Sequence, residues 1–314
     1  MRAIAISDFG ADPELIETPE PEPRPGELLV RLRAAGYNPV DTKIASGAMK
    51  DRMSPRFPLI MGQDGAGVVA AVGAEVTGFR PGDEVYGRFA DPSRGLGSFA
   101  EYAVVAQDGP VAFMPKGMLP EQAAAVPTAT ATARDLVEAA RLEEGQTVLI
   151  VGATGGVGQS ATQLAALRGA HVIATAAPGA DEIMRALGAA ETVDHTKGGV
   201  ADQVLAGHPD GIDAVLDLVT PPAAVDSVAA LVRPGGVICS TIHALDPEAL
   251  AAREIRGVNV VNQVTGPILA ELADVIDSGE LRVRVESLVP LEHAPTLLRE
   301  IAARSARGKT VITM

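Results

Sequence analysis

The stretch TVLIVGATGGVGQSATQLAALRGAHVIATA occupies residues 147–176. Its first apolar run, Val148 to Val151, has the length of a buried strand. From Val157 to Leu167, small or apolar residues recur at helical spacing, at Val157, Ala161, Leu164 and Ala165, and a second strand-length run follows at Val172 to Thr175. The glycines fall between the first strand and the helix. This succession predicts the opening unit of a doubly wound parallel sheet. Set against the dinucleotide fingerprint G-x-G-x-x-G, the turn offers Ala153, Gly155 and Gly158, with alanine at the first position. A glycine at the second position lets backbone approach a pyrophosphate, and one at the third lets helix and strand pack closely. The free N–H groups and partial positive charge of a helix N-terminus complete an anion site. The residues expected to hold the pyrophosphate are Gly152, Ala153, Thr154, Gly155, Gly156 and Val157.

The end of the second strand selects between nucleotides. An acid there would bind the adenosine ribose hydroxyls and favour NAD, whereas its absence leaves room for the 2′-phosphate of NADP. Ala176 and Ala177 stand at that end, and the first acid, Asp181, comes late enough to cap the next helix. No Arg or Lys follows immediately, so the charge facing a 2′-phosphate must come from elsewhere. The expected cofactor is NADPH.

Outward from this turn, strand candidates alternate with helices. The strands are Val148–Val151, Val172–Thr175, Thr192–Val193, Ala214–Leu218, Val237–Thr241 and Val258–Val261. The helices lie near Gly158–Leu167, Asp181–Leu187, Val200–Leu205, Ala223–Leu231 and Pro247–Arg253. Six strands with crossover helices make an α/β Rossmann domain, assigned to residues 118–279. Before it, residues 1–117 read as short strands divided by Gly and Pro: Leu28–Leu32, Ala66–Val72, Glu84–Tyr86 and Ser98–Val105. These predict an all-β, barrel-like unit. The tail, 280–314, is strand-rich at both ends with a helix near Pro295–Arg304, and is expected to complete the first unit.

Composition bounds the partners. The 314 residues are 47% hydrophobic, enough for a sizeable core, and 26 basic against 40 acidic side chains give a formal charge of −14. That balance disfavours nucleic acid and anionic membrane surfaces. The single cysteine, Cys239, excludes an intramolecular disulfide and a Cys-based zinc site, and suits a reducing compartment. The start MRAIAISDFG has no signal-peptide pattern, and no apolar run is long enough to span a membrane. A cytoplasmic protein is expected.

Four segments now resemble the zinc-independent quinone oxidoreductases of the medium-chain dehydrogenase/reductase superfamily, over nearly the whole chain. They are AGYNPVDTKIASG (35–47), PLIMGQDGAGVVAAVG (58–73), FRPGDEVYG (79–87) and VGATGGVGQSATQLA (151–165). The resemblance implies a GroES-like β-barrel catalytic domain built from both termini, a Rossmann domain between, and a cleft where nicotinamide meets substrate. It also implies a homodimer paired through the last Rossmann strand, here Val258 to Asn262. Zinc-dependent relatives place Cys and His ligands in the first two segments, where this chain has Tyr37, Asn38 and Gln63. The five histidines, His171, His195, His208, His243 and His293, show no ligand spacing, and no metal is expected.

Without a Lewis acid to hold an alkoxide, simple alcohol oxidation is disfavoured. A quinone or an α,β-unsaturated carbonyl accepts hydride into a delocalised anion, and the protein mainly aligns the reactants. The resemblance puts Asn38 beside the nicotinamide ribose and substrate; a turn residue before Pro39 is the alternative. Tyr37 is a hydroxyl donor or a packed core residue, and Gln63 and Asp64 bind substrate or each other. Asp41 and Lys43 read as structural. Thr128, in VPTATATA, is assigned to the carboxamide or phosphate, with Thr130 and Thr132 as helix-capping residues. His195 and Arg304 are candidates for the 2′-phosphate, with Arg185 a weaker third. Thr241 and Ile242, after the fifth strand, and Gln263 and Val264, after the sixth, are expected to border the nicotinamide, because ligands bind outside the carboxyl ends of such strands. Cys239 reads as a buried apolar residue, not a nucleophile. The expected reaction is NADPH-dependent, zinc-free reduction of a quinone or enone. An enoyl-thioester or alkenal reductase, and a non-catalytic NADPH-binding redox sensor, stay open.

Overall fold

The structure, a computed structural model, describes residues 1–303 and 308–314. In chain order the strands are β1 (Arg2–Ile6), β2 (Glu14–Glu17), β3 (Glu27–Gly36), β4 (Leu59–Ile60), β5 (Asp64–Val72), β6 (Glu84–Arg88), β7 (Tyr102–Ala106), β8 (Val111–Phe113), β9 (Thr147–Val151), β10 (His171–Thr175), β11 (Glu191–Val193), β12 (Ile212–Asp217), β13 (Val232–Ser240), β14 (Arg256–Asn259), β15 (Ser287–Pro290) and β16 (Thr310–Thr313). The helices are α1 (Pro39–Ala45), α2 (Pro120–Ala123), α3 (Pro127–Ala140), α4 (Gly156–Leu167), α5 (Asp181–Ala186), α6 (Val200–Gly207), α7 (Val225–Ala229), α8 (Pro247–Ala251), α9 (Gly266–Asp277) and α10 (Ala294–Ala303). Two compact units result. The first comprises residues 1–129, 264–278 and 283–314, and the second comprises 130–263 and 279–282. The divisions expected at 117/118 and 279/280 therefore differ from the compact units: residues 118–129 and α9 pack with the first.

The first unit is organised by β3, whose burial alternates over Leu28, Val30, Leu32 and Ala34, with Arg31 and Arg33 exposed between them. One edge of β3 pairs with β5, and the other with β7 along residues 27–31 and then with β16 along 34–36. The last strand of the chain thus fills the second half of an edge that β7 leaves open. The complete order is β15-β16-β3-β5-β6-β8 with β7 on β3, beside a three-stranded sheet β2-β1-β4. Gly67 allows β5 to approach β3 closely, since a Cβ there would lie 2.1 Å from the Arg31 carbonyl oxygen. The Tyr86 hydroxyl donates to the Leu269 carbonyl at 2.6 Å and ties α9 to β6.

The sequence reading missed β1 and β2, whose short, alanine- or glutamate-containing runs carry little strand signal, and it began β7 too early. Residues before Tyr102 bond elsewhere: Phe99 N–H donates to the Met61 carbonyl, and Ile4 N–H donates to that of Phe99.

The second unit holds a six-stranded parallel sheet in the order β11-β10-β9-β12-β13-β14. Counted from β9, this is the doubly wound order 3-2-1-4-5-6, with its switch point between β9 and β12. Alternation along β9 divides the core. Val148 and Ile150 join Leu136, Val137, Ala161 and Ala165 of α3 and α4, while Leu149 and Val151 join Val204, Val228 and Leu250 of α6, α7 and α8. The six expected strands all form, although β13 begins five residues early, with a register shift across Pro234 and the two glycines after it, and β14 ends at Asn259. Among the described residues, no helix is long and apolar enough to cross a membrane.

Candidate functional site

The glycine turn lies between β9 and α4, at the switch point of the second unit. Gly152 adopts φ +86°, a left-handed conformation that glycine tolerates best. The next two glycines of the fingerprint are kept for different reasons. A Cβ on Gly158 would lie 2.4 Å from the Gly152 carbonyl oxygen and 2.5 Å from Ala153 Cα, so this glycine permits close helix–strand packing. A Cβ on Gly155 would meet only the Gly152 oxygen, at 3.5 Å, and Gly155 has an ordinary φ of −75°. Nothing in the fold demands glycine there. Gly155 is also the N-cap of the twelve-residue α4, and no side chain caps that helix. Open space in front of uncapped amides is what an approaching pyrophosphate requires.

A residue overlooked in the sequence shapes this turn. Thr175, at the end of β10, accepts from the N–H groups of Gly152 at 2.9 Å and Ala153 at 3.4 Å, and donates to the Ile150 carbonyl at 3.2 Å. Ala176 follows, buried, with its N–H on the Val193 carbonyl. Asp181 is not the cap expected of it: Ala180 occupies the N-cap, and Asp181 lies in the first turn of α5. His195 is exposed in the turn after β11, which Asp194 organises by accepting from the N–H and hydroxyl of Thr196. Arg185 bonds the Ala190 carbonyl and the Thr192 hydroxyl. Thr241 and Ile242 are half-buried beyond β13, with Thr241 N–H on the Asp217 carbonyl at 3.2 Å and Ile242 N–H on the Ser240 hydroxyl at 3.3 Å. Val264 belongs to the first unit and is half-buried, and Arg304 lies outside the described residues.

In the first unit, most of the remaining candidates meet in one buried polar cluster. Asn38 caps α1 together with Asp41, its N–H donating to Asp41 Oδ2 at 2.8 Å. The Asn38 amide nitrogen donates to Asp64 Oδ2 at 2.8 Å, and its oxygen accepts from Lys309 Nζ at 2.7 Å. Both ends of this side chain are therefore engaged inside the protein. Thr128 likewise turns inward: its N–H and hydroxyl donate to the two Asp64 oxygens at 3.0 and 2.6 Å. Gln63 accepts from the Arg88 guanidinium. The Tyr37 hydroxyl shares a 2.9 Å hydrogen bond with that of Thr42, and burial pushes its pKa up.

Lys309, which the sequence reading passed over, holds this cluster together. It is buried, donates also to the Tyr37 carbonyl at 2.9 Å, and lies 3.9 Å from Asp64 Oδ2. Two carboxyls and one ammonium share a site away from water. Desolvation raises the Asp41 carboxyl to about 7, with the neighbouring Asp64 adding to the shift. Desolvation pulls the Lys309 ammonium the other way, down from its ordinary value.

This donor set does not fit a catalytic zinc. Tyr37, Asn38 and Gln63 offer no thiolate or imidazole, and their polar groups bond Thr42, Lys309 with Asp64, and Arg88 respectively. Cys239 lies in β13 of the other unit, fully buried, and burial pushes its thiol up to about 12, so it is neither a ligand here nor a nucleophile.

A doubly wound sheet with an open glycine cradle, in a chain with a β-barrel unit built from both termini, defines a pyridine-nucleotide-dependent oxidoreductase. Family models agree: residues 24–116 match the alcohol dehydrogenase GroES-like domain, and residues 187–312 match a domain described as zinc-binding dehydrogenase. The quinone oxidoreductase of Sus scrofa is 31% identical, covering 100% of this chain and 98% of its own. The chloroplastic NADPH-dependent alkenal/one oxidoreductase of Arabidopsis thaliana is 30% identical over 99% of this chain and 79% of its own. A crystal structure of an NAD-dependent alcohol dehydrogenase superposes with a TM-score of 0.89 at 30% identity, over 100% of both chains. The chain belongs to the quinone oxidoreductase family of the medium-chain dehydrogenase/reductase superfamily.

Proposed function

We propose that the chain is an NADPH-dependent reductase that transfers hydride to a quinone or to the β-carbon of an α,β-unsaturated carbonyl. The observation carrying this reading is the donor set around Asn38 and Gln63, which offers amides and a phenol already bonded within the protein where a Lewis-acid metal would need thiolate or imidazole. Acceptors whose anion is delocalised need no such metal. Gly152 to Val157 hold the pyrophosphate on the uncapped start of α4, with Thr175 fixing the turn from below. Bound nicotinamide supplies the hydride. The Tyr37 phenol, whose pKa is raised by burial, stays protonated and acts as a hydrogen-bond donor, not a base.

The choice of NADPH rests on the end of β10. Ala176 and Ala177 present no carboxylate to repel a 2′-phosphate, and the turn after the neighbouring β11 carries His195 and Lys197, both exposed. A homodimer is part of the same reading. It is supported by β14, an edge strand of the parallel sheet followed by the exposed Val261.

Steady-state oxidation of NADPH with a panel of quinones, enals and an enoyl thioester tests the function. Turnover with a quinone or enone is expected, with kcat/KM at least tenfold higher for NADPH than for NADH, about 1.4 kcal/mol. Nucleotide binding without turnover across the panel would instead make the protein a sensor.

A further inference from the structure

His171, Glu191 and His208 form the one group of three metal-competent side chains gathered among the described residues, with their ligand atoms all within 4.8 Å of one another. They are distant in sequence, and the fold of the second unit assembles them. His171 opens β10 and Glu191 opens β11, which pair in parallel with Ile173 opposite Glu191. His208 is the C-cap of α6, held by its N–H on the Val204 carbonyl, just before the chain enters β12. Both imidazoles aim Nε2 at the same carboxylate oxygen, Glu191 Oε1, at 2.6 Å from His171 and 3.1 Å from His208. Their rings stand 5.9 Å apart, tilted by 58°. The hydrogen bonds from His171 and then His208 hold the Glu191 carboxyl below its usual range.

From this geometry we infer a binding site for a borderline divalent cation of the zinc type, set at the edge of the sheet opposite the glycine turn. The chemistry is that of two imidazole nitrogens and one carboxylate, a donor set suited to Zn²⁺, Co²⁺ or Ni²⁺. Ligand atoms about 2.0–2.2 Å from such an ion stand roughly 3.3 Å apart in a tetrahedron. The His208–Glu191 distance of 3.1 Å is near that spacing, the His171–Glu191 distance of 2.6 Å is shorter, and all three ligand atoms lie within 4.8 Å, so side-chain rotations that open the His171–Glu191 pair make room for the ion. The three side chains are 41%, 43% and 21% exposed for His171, Glu191 and His208, which gives the ion an entry path and leaves a position for water. Along the five residues of β10, the site lies about 13 Å from the strand's nucleotide-facing end. It is therefore separate from the proposed reaction and independent of that reading. The other three histidines are exposed, and Cys239 is buried and unavailable.

The test uses the full chain, freed of any affinity tag and stripped with chelator, then titrated with Zn²⁺ and with Co²⁺ near neutral pH. One equivalent should bind with a Kd below about 100 µM, and Co²⁺ should develop visible absorption typical of nitrogen and oxygen ligands. His171→Gln and His208→Gln, which keep a polar side chain at each position, should each weaken binding at least tenfold while leaving NADPH affinity unchanged. Weaker binding than this by the parent chain, or affinity unaltered in either variant, overturns the assignment. Should a variant fail to fold, the Co²⁺ spectrum of the parent decides: a spectrum matching the ion in buffer alone overturns it.

Discussion

Asp41 is the side chain whose charge the fold resists most clearly. Its folded carboxyl keeps a proton up to about 7, against an ordinary value of 3.8. Between those values the folded state binds more protons than the unfolded one, so this group's contribution to stability falls as pH rises from about 4 to 7. Asp41→Asn keeps an oxygen for the Asn38 N–H and removes the titration. Relative to the parent, the variant should gain on the order of 3 kcal/mol in going from pH 4 to pH 8, as measured by urea unfolding at both; a pH-independent difference would mean that Asp41 is ionised throughout. The two fingerprint glycines permit a second test at this scale. Gly155→Ala should cost about 1 kcal/mol or less of stability, yet weaken NADPH binding more than tenfold, because its methyl enters the open cradle. Gly158→Ala should destabilise the fold itself, its methyl meeting backbone at 2.4 Å. Thermal unfolding beside nucleotide titration separates the two. The fingerprint assigns Gly155 to pyrophosphate approach and Gly158 to helix–strand packing, and what sequence could not supply is the distances: backbone crowds a Cβ at 158 and leaves one at 155 in open space.

At the scale of elements, the parallel sheet was readable because β9, β10, β12 and β13 carry apolar runs of strand length and alternate with helical segments. The short β1 and β2 lack that contrast. What sequence did not give was the partnership across strands: Thr175 reads as the last residue of a strand, and only the pairing of β10 with β9 puts its hydroxyl under the Gly152 and Ala153 amides. Thr175→Val keeps the shape and strand propensity while orphaning those N–H groups, and should lower nucleotide affinity with a stability loss of about 1–3 kcal/mol. In the proposed reading, the end of the same strand sets the cofactor. Ala177→Asp places a carboxylate where a 2′-phosphate would approach, and should shift the ratio of kcat/KM for NADPH over NADH toward NADH by at least tenfold, about 1.4 kcal/mol. An unchanged ratio would remove β10 from the account of specificity. The same logic explains the His171, Glu191 and His208 group, which no local spacing marks: α6 and two strand starts bring together what separations of 17 and 20 residues conceal.

Over the whole molecule, the least legible feature is how the chain's end completes its beginning. β16 lies beside β3, and Lys309, immediately before it, reaches Asn38 across 271 residues. A lysine in GKTVI reads as a surface residue, and its burial follows only from a topology in which the C-terminal strand is threaded into the first unit. There its ammonium offsets the charge of the Asp41 and Asp64 carboxyls, and it bridges the Tyr37 carbonyl to the Asn38 amide. Lys309→Met fills much the same volume but leaves those carboxyls without a cation, a change that typically costs about 3–5 kcal/mol. The sign of its pH dependence follows from the charges. Without the ammonium, the folded Asp41 carboxyl binds its proton more readily, so the loss should be greatest near pH 8 and shrink toward pH 5, where protonation of Asp41 replaces the missing charge. Chemical denaturation of parent and variant at the two pH values measures this. A loss equal at both would mean that Lys309 acts through its hydrogen bonds alone, and that the buried cluster carries no net charge for it to balance.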